Sequence, residues 1–202
     1  MNNDLGLETE CFPSDATVDV KGVGPRPLSS IKIGTEVRVI DHNGTTSFSP
    51  VIAFLHRDLD GHASYKRIRT KNAQLHISKR HLIQRRRDGF VWAEQLIKGD
   101  EILVALANKT AWERINEIDE INKQGLMAPL TEQGTILVNN VHTSCYALVK
   151  YHDLGHIALA PIRWYHRVFG QISDIDSTPI LKYADILLNF FQKLPIAKDL
   201  IF

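Results

Sequence analysis

The chain lacks most of the features that announce a function at first sight. It has two cysteines, Cys11 and Cys145, in 202 residues, and one distant pair is no disulfide framework. It has no run of about 18 apolar residues, so no membrane-spanning helix is expected. Net charge is nearly absent: 24 Lys and Arg against 23 Asp and Glu give +1, so no global field points to nucleic acid or to an acidic partner. The only basic run, Arg85 to Arg87, reads as a solvated turn between strands. Met1 to Glu10 are polar and acidic and do not form a signal peptide. If the protein works in the secretory pathway, its targeting segment is expected outside this chain. No long helical period appears before about residue 160.

What remains is ordinary globular material: 44% hydrophobic and 23% charged residues, enough for one sizeable domain with its own core. The middle of the chain predicts many short strands. Val18 to Val20, Glu36 to Ile40 and Gln74 to Ile77 alternate apolar and polar residues. Asp41 to Gly44 is a hairpin signal, because Asn-Gly tolerates positive φ. Leu28 to Val37 also lines up with Ala93 to Ile102, with apolar residues at matching offsets from Gly34 and Gly99. The offset, near 65 residues, is too long for a solenoid and suggests a duplicated β subdomain. From about Trp164 the pattern changes. Ile180, Leu181, Ala184, Leu187, Leu188 and Phe191 trace one face of a helix that Pro195 ends or kinks.

Three chemical groups stand out: Cys11, followed by Phe12 and Pro13; Ser78 with His81 three positions on; and Cys145 after Ser144. A thiol can attack the carbonyl that precedes it and turn an amide into a thioester. An amide is a poor electrophile with a poor leaving group, so the site must polarise the carbonyl and protonate the departing nitrogen. Histidine suits the second task, since its unperturbed pKa lies near working pH. A serine hydroxyl can hold the amide. The bland alternatives are a cysteine packed as a small hydrophobe and a histidine satisfied in a strand.

These residues, in this order, resemble the autoprocessing domain of hedgehog proteins, the Hint fold shared with inteins. The resemblance runs from Cys11 to about Arg163. It is carried by Cys11 to Pro13, Val51 to Asp58, Leu75 to Leu82, Ala128 to Asn139, Ser144 to Ala147, Leu154 to His156 and Ala160 to Arg163. It implies an all-β Hint fold of two pseudo-symmetric β subdomains with a short helical C-terminal appendage. Residues 1–10 would be the upstream segment, 11–163 the autoprocessing domain, and 164–202 the appendage and possible sterol-recognition region. The implied reaction is cleavage of the Glu10–Cys11 bond through an N-to-S acyl shift. The upstream segment would then pass to an external nucleophile, a sterol such as cholesterol.

In that scheme Cys11 is the nucleophile, His81 protonates the leaving nitrogen, and Ser78 stands where the family usually has Thr. His56 replaces a family Asp implicated in activating the sterol hydroxyl. It differs in charge, reach and pKa, with Asp58 two positions on as a candidate substitute. Cys145 would take the acyl group transiently or tune Cys11; a buried inert thiol is the alternative. His156 matches a family histidine to which no role is given. Glu10 stands where the family typically has Gly, which bears on rate. Splicing is not expected, since the chain ends Leu200, Ile201, Phe202 without the Asn whose cyclisation frees the second junction. No metal and no cofactor are expected beyond the sterol acceptor, and no nucleic-acid partner. Membrane contact through the appendage and a secretory or extracellular setting are implied for a chain attached to a secreted precursor. The alternatives left open are release by water or a small thiol, and a Hint-fold lipid-binding module without activity.

Overall fold

The computed structural model describes residues 11–41, 43–107, 109–146, 160 and 163. Among them lie twelve strands: β1 Thr17–Val20, β2 Gly24–Pro27, β3 Glu36–Ile40, β4 Thr46–Arg69, β5 Gln74–Ile77, β6 Leu82–Arg85, β7 Gly89–Trp92, β8 Glu101–Ala105, β9 Thr110–Arg114, β10 Glu117–Thr131, β11 Thr135–Val138 and β12 Val141–Ser144. Two short 3-10 turns, Leu28–Ser30 and Ala93–Gln95, interrupt them. Ala160 and Arg163 are helical. The apolar pattern after Trp164, Glu10 and His156 lie outside the described residues.

The strands form two six-stranded sheets. One runs β10-β4-β3-β1-β2, with β5 also paired to β4. The other runs β11-β12-β6-β8-β9, with β7 on β6. Each expected strand is present, but β4 has 24 residues and β10 has 15, so the short-strand expectation fails there. β4 pairs with β3 over Thr46 to Pro50, and further along with β10 and β5. A strand that long stays in hydrogen bonds by changing partners, and bulges at Gln124/Leu126, Ala128/Pro129 and Leu130/Thr131 absorb the turns. The Asp41 to Gly44 signal does mark the β3–β4 connection. Gly44 takes a φ of 77°, and the Asp41 carboxylate accepts the N–H groups of Asn43 and Thr45. The basic run starts on the last residue of β6 and continues into the turn before β7, with Arg85 on Asp88 and Asp100, Arg86 on Glu101, and Arg87 on Asp88.

The repeat seen in the sequence is a repeat in space. In the first half Thr17 faces Pro27 and Val20 faces Gly24; in the second, Leu82 faces Trp92 and Arg85 faces Gly89. Each second-half residue lies 65 positions after its counterpart. The closing bonds match as well. Leu28 N–H donates to Ala16 O and Ala93 N–H to His81 O, at 2.8 and 2.9 Å. Ser29 donates to Ser14 and Glu94 to Lys79, at 3.0 and 2.8 Å. Gly34 and Gly99 take φ of 86° and 99°, a region open to glycine for want of a Cβ. The halves share one core, in which Val18, Leu28, Ile31 and Val37 meet Ile83, Ala93, Leu96 and Ile102. Burial of these apolar side chains holds the duplicate together, at about 1.5–3 kcal/mol for each large one.

Candidate active site

Cys11 enters the fold between two elements. On one side the end of β5 meets it: Cys11 N–H donates to Ser78 Oγ at 3.0 Å, and Ser78 N–H donates to Cys11 O at 3.2 Å. On the other side Phe12 and Met127 of β10 exchange both backbone bonds, at 2.9 and 2.8 Å. Cys11 is fully buried, and its side chain belongs to a small apolar cluster with Leu126 and Ala128. The segment continues to Ser14, whose N–H donates to Gln124 O. Close approach here requires Gly125, since a Cβ at that position would lie 2.3 Å from Ser14 Cβ and 2.6 Å from its nitrogen. Tyr65 donates its hydroxyl to Gly125 O. Burial pushes its phenol far up, with smaller contributions from Cys11 and Asp15, so it stays a donor.

His81 follows Ser78 through a one-turn bend, His81 N–H to Ser78 O at 3.2 Å. Its ring is buried and packs on the Phe12 ring, with centroids 4.3 Å apart. His81 Nε2 lies 2.8 Å from Ser144 O. A carbonyl oxygen only accepts, so Nε2 carries the hydrogen. That bond fixes the ring and leaves Nδ1 as the nitrogen whose protonation it does not set. Thus Ser78 is bonded to the backbone of Cys11, and His81, 70 residues after Cys11, packs its ring on the neighbouring Phe12.

His56 and Asp58 lie on β4, opposite Ala128 and Leu126 of β10. Directly opposed residues share a face of an antiparallel pair, so both are on the face that carries the Cys11 cluster. Asp58 is engaged elsewhere. Its Oδ1 accepts the N–H groups of Asp60 and Gly61, both at 3.0 Å. The bond from Gly61, then that from Asp60, holds its carboxyl below the usual range, which weakens it as a base. Gly61 is required by the same bend, since a Cβ there would meet Leu126 Cδ1 at 2.3 Å.

Cys145 lies in the main core rather than in the Cys11 cluster. The two thiols are not bonded to each other. Cys145 Sγ is 3.6 Å from Thr131 Oγ1, whose hydroxyl lies 2.8 Å from Thr135 O. Burial pushes the Cys145 thiol up to about 11, against smaller opposing effects from Thr131 and Arg163. Arg163 is buried and donates to the Tyr146 hydroxyl at 2.6 Å. Sequence reasoning gave no role to Phe12, Tyr65, Gly125, Ala128 or the Ser144 carbonyl. A backbone carbonyl has no residue signature, and the Tyr65–Gly125 contact spans 60 residues.

With this geometry in view, the family is defined by a direct match: the Hint module profile covers residues 5–195. The chain belongs to the Hint module family. It is 30% identical over 161 residues to "Protein hedgehog" of Drosophila melanogaster, covering 76% of this chain and 34% of that protein. To the same protein of Drosophila pseudoobscura pseudoobscura it is 32% identical over 161 residues, again 76% of this chain and 34% of the relative. The chain thus spans about a third of the length of these curated relatives. Among solved structures it is similar to the gp41-1 intein, with TM-score 0.55, 16% identity, and coverage of 67% of this chain and 98% of that one. A variant of the Ssp DnaB mini-intein, M86, has TM-score 0.59 and 12% identity, with 67% and 93% covered. The fold is therefore all-β and of the Hint type, as the sequence implied. Among the described residues no helix is long and apolar enough to cross a membrane.

Proposed function

We propose that this chain cleaves its own backbone before Cys11. The observation that carries the reading is the clamp on one residue: Cys11 N–H, the nitrogen of the bond to be cut, on Ser78 Oγ, and Ser78 N–H on Cys11 O, with the His81 ring against Phe12 beside it. Cys11 Sγ adds to the carbonyl carbon of Glu10. The C–N bond breaks as His81 gives a proton from Nδ1 to the departing nitrogen, and the thiol proton leaves to solvent or to the ring. A thioester and a free Cys11 amine result. Ser78 holds the amide nitrogen in line during this exchange. A single-turnover event with a half-life of hours needs a barrier of roughly 22–23 kcal/mol, within reach of an oriented thiol and one general acid.

The second step takes an external nucleophile, a sterol such as cholesterol. Its hydroxyl oxygen attacks the thioester, the C–S bond breaks, and the upstream segment leaves as a sterol ester. His56, on the Cys11 face, is the base that takes the hydroxyl proton. No cofactor is required, and residues 164–202 would present the sterol or contact a membrane. The segment before Cys11 is the substrate, and a secreted precursor is the fitting context. Cys145 acts as a packed thiol on this reading, because its proton is held tightly and it sits in another cluster. Imidazole in place of a carboxylate at position 56 favours one second reading, in which water or a small thiol is the acceptor.

Intact-mass analysis of the full chain tests both steps. Dithiothreitol should release residues 1–10 from the wild-type chain and leave Cys11→Ala whole. Release from the Ala variant would mean that an outside protease cuts. A gain of one sterol mass, less water, on the released peptide supports sterol transfer; the plain acid supports hydrolysis.

A further inference from the structure

The bond to Ser144 holds the His81 ring at one atom. Nε2 lies 2.8 Å from Ser144 O, and the backbone below it is fixed by His81 N–H on Ser78 O and Ala93 N–H on His81 O. The plane of the ring is a separate matter. The second side-chain torsion of histidine is broad, and a carbonyl oxygen accepts over a wide range of directions. A ring tied by Nε2 alone can pivot about that bond, and Nδ1 moves with it.

Phe12 stands against the pivot. The two rings pack with centroids 4.3 Å apart and planes inclined at 53°, and both side chains are 1% exposed. Phe12 is itself held fast. Its N–H and its C=O are both bonded to Met127, and its side chain belongs to the main core. Cys11, next to it, packs instead with Leu126 and Ala128, as successive side chains of an extended segment do. His81 therefore meets this segment on the Phe12 side. The residue it leans on is joined directly to the nucleophile, so a shift of the segment carries the Cys11 nitrogen and the wall of the imidazole together.

We infer, on the reading of His81 as the proton donor, that Phe12 is its positioning residue: with Nε2 held by Ser144 O, the Phe12 ring sets the plane of the imidazole and so the place of Nδ1. Phe12→Leu and, as a second variant, Phe12→Met test this in the full chain. Each removes the ring and keeps an apolar side chain in the core. Phe54→Leu is the control for loss of an aromatic ring from the same core, since Phe54 is also buried there. All three variants should lower the urea midpoint. Thiol-induced release of residues 1–10 should slow about 10- to 100-fold in the Phe12 variants, the scale of a small misplacement of a reacting group, and stay near the wild-type rate in Phe54→Leu.

A merely structural phenylalanine would not move the second readout. In the uncleaved Cys11→Ala chain, NMR should show a slowly exchanging His81 Hε2 proton and a ring held in the Nε2–H tautomer. Adding Phe12→Leu should speed that exchange about ten-fold or more, as local opening becomes easier, and populate the Nδ1–H tautomer; adding Phe54→Leu should do neither. Release from either Phe12 variant at the rate of Phe54→Leu, or a His81 ring spectrum unchanged by Phe12→Leu, would overturn this role for Phe12. The spectrum does not require cleavage, so a wild-type chain that fails to cleave sinks the proposed function while the hold of Phe12 on the ring is still judged on its own.

Discussion

The two halves of this protein share a backbone and differ in chemistry. Residues 14–40 and 79–105 close the same hairpin, the same 3-10 turn and the same glycine corner. Both pack Val, Leu or Ile at matched positions into one core. Where the first half buries Ala16, the second buries His81. In both halves that residue's carbonyl accepts the first N–H of the 3-10 turn. The backbone role is thus kept while the side chain is released for another use. A duplicated scaffold supplies rigid, equivalent positions, and the proposed general acid sits where one position departs from its twin.

The sharpest way to break the comparison is to make the second half copy the first. His81→Ala should leave the fold intact, because the bond to Ala93 N–H comes from backbone. Thiol-induced cleavage should fall about 10²–10⁴-fold, the usual range for one general acid. Intact mass read against time checks the rate, and circular dichroism checks the fold.

Ser78→Ala strikes the clamp itself. Cys11 N–H would lose its acceptor in a buried site, at about 1–3 kcal/mol, and cleavage should slow as the amide loosens. Ser78→Thr, which keeps the hydroxyl, should preserve most of the rate. Urea melts alongside cleavage kinetics separate the two effects.

The glycine corners sharpen the comparison in the opposite direction. Gly34→Ala and Gly99→Ala place a Cβ at φ of 86° and 99°. Each should cost about 1–2 kcal/mol, and the two costs should match if the halves are mechanically equivalent. Urea midpoints of the single and double variants decide it, with additive values expected.

The smallest effect concerns Cys145. Its folded thiol holds a proton up to about 11, against an ordinary value of 9.0. The unfolded chain therefore loses that proton first. The stability this contributes is full below about 9 and is lost as pH rises towards about 11. Cys145→Ala should flatten the fall of the urea midpoint over that window while leaving thiol-induced cleavage near wild type. A loss of cleavage would give Cys145 a part in the chemistry.

Much of the fold is legible in the sequence. Turn glycines, period-two alternation and the 65-residue offset are local signals, because backbone sterics and side-chain alternation act over a few residues. They fixed β1, β3, β5 and the duplicate. Cys11, Ser78 and His81 were legible as candidates from residue type and order. The lengths of β4 and β10 were not, since Pro50, Gly61 and Gly125 read as breaks. In the fold they are a change of partner and two close approaches, where a strand bends without ending.

The sequence by itself determined the candidate reactive groups, the repeated half and the apolar faces that weld the halves, because each depends on residue identity and short-range geometry. Tertiary structure alone decided that Ser78 Oγ reaches the Cys11 amide, that Ser144 O sets the His81 ring, and that Asp58 serves a bend rather than the site. Those outcomes depend on strand register. Register is set by burial summed over both sheets, and a slip of one residue would turn every one of these side chains to the opposite face.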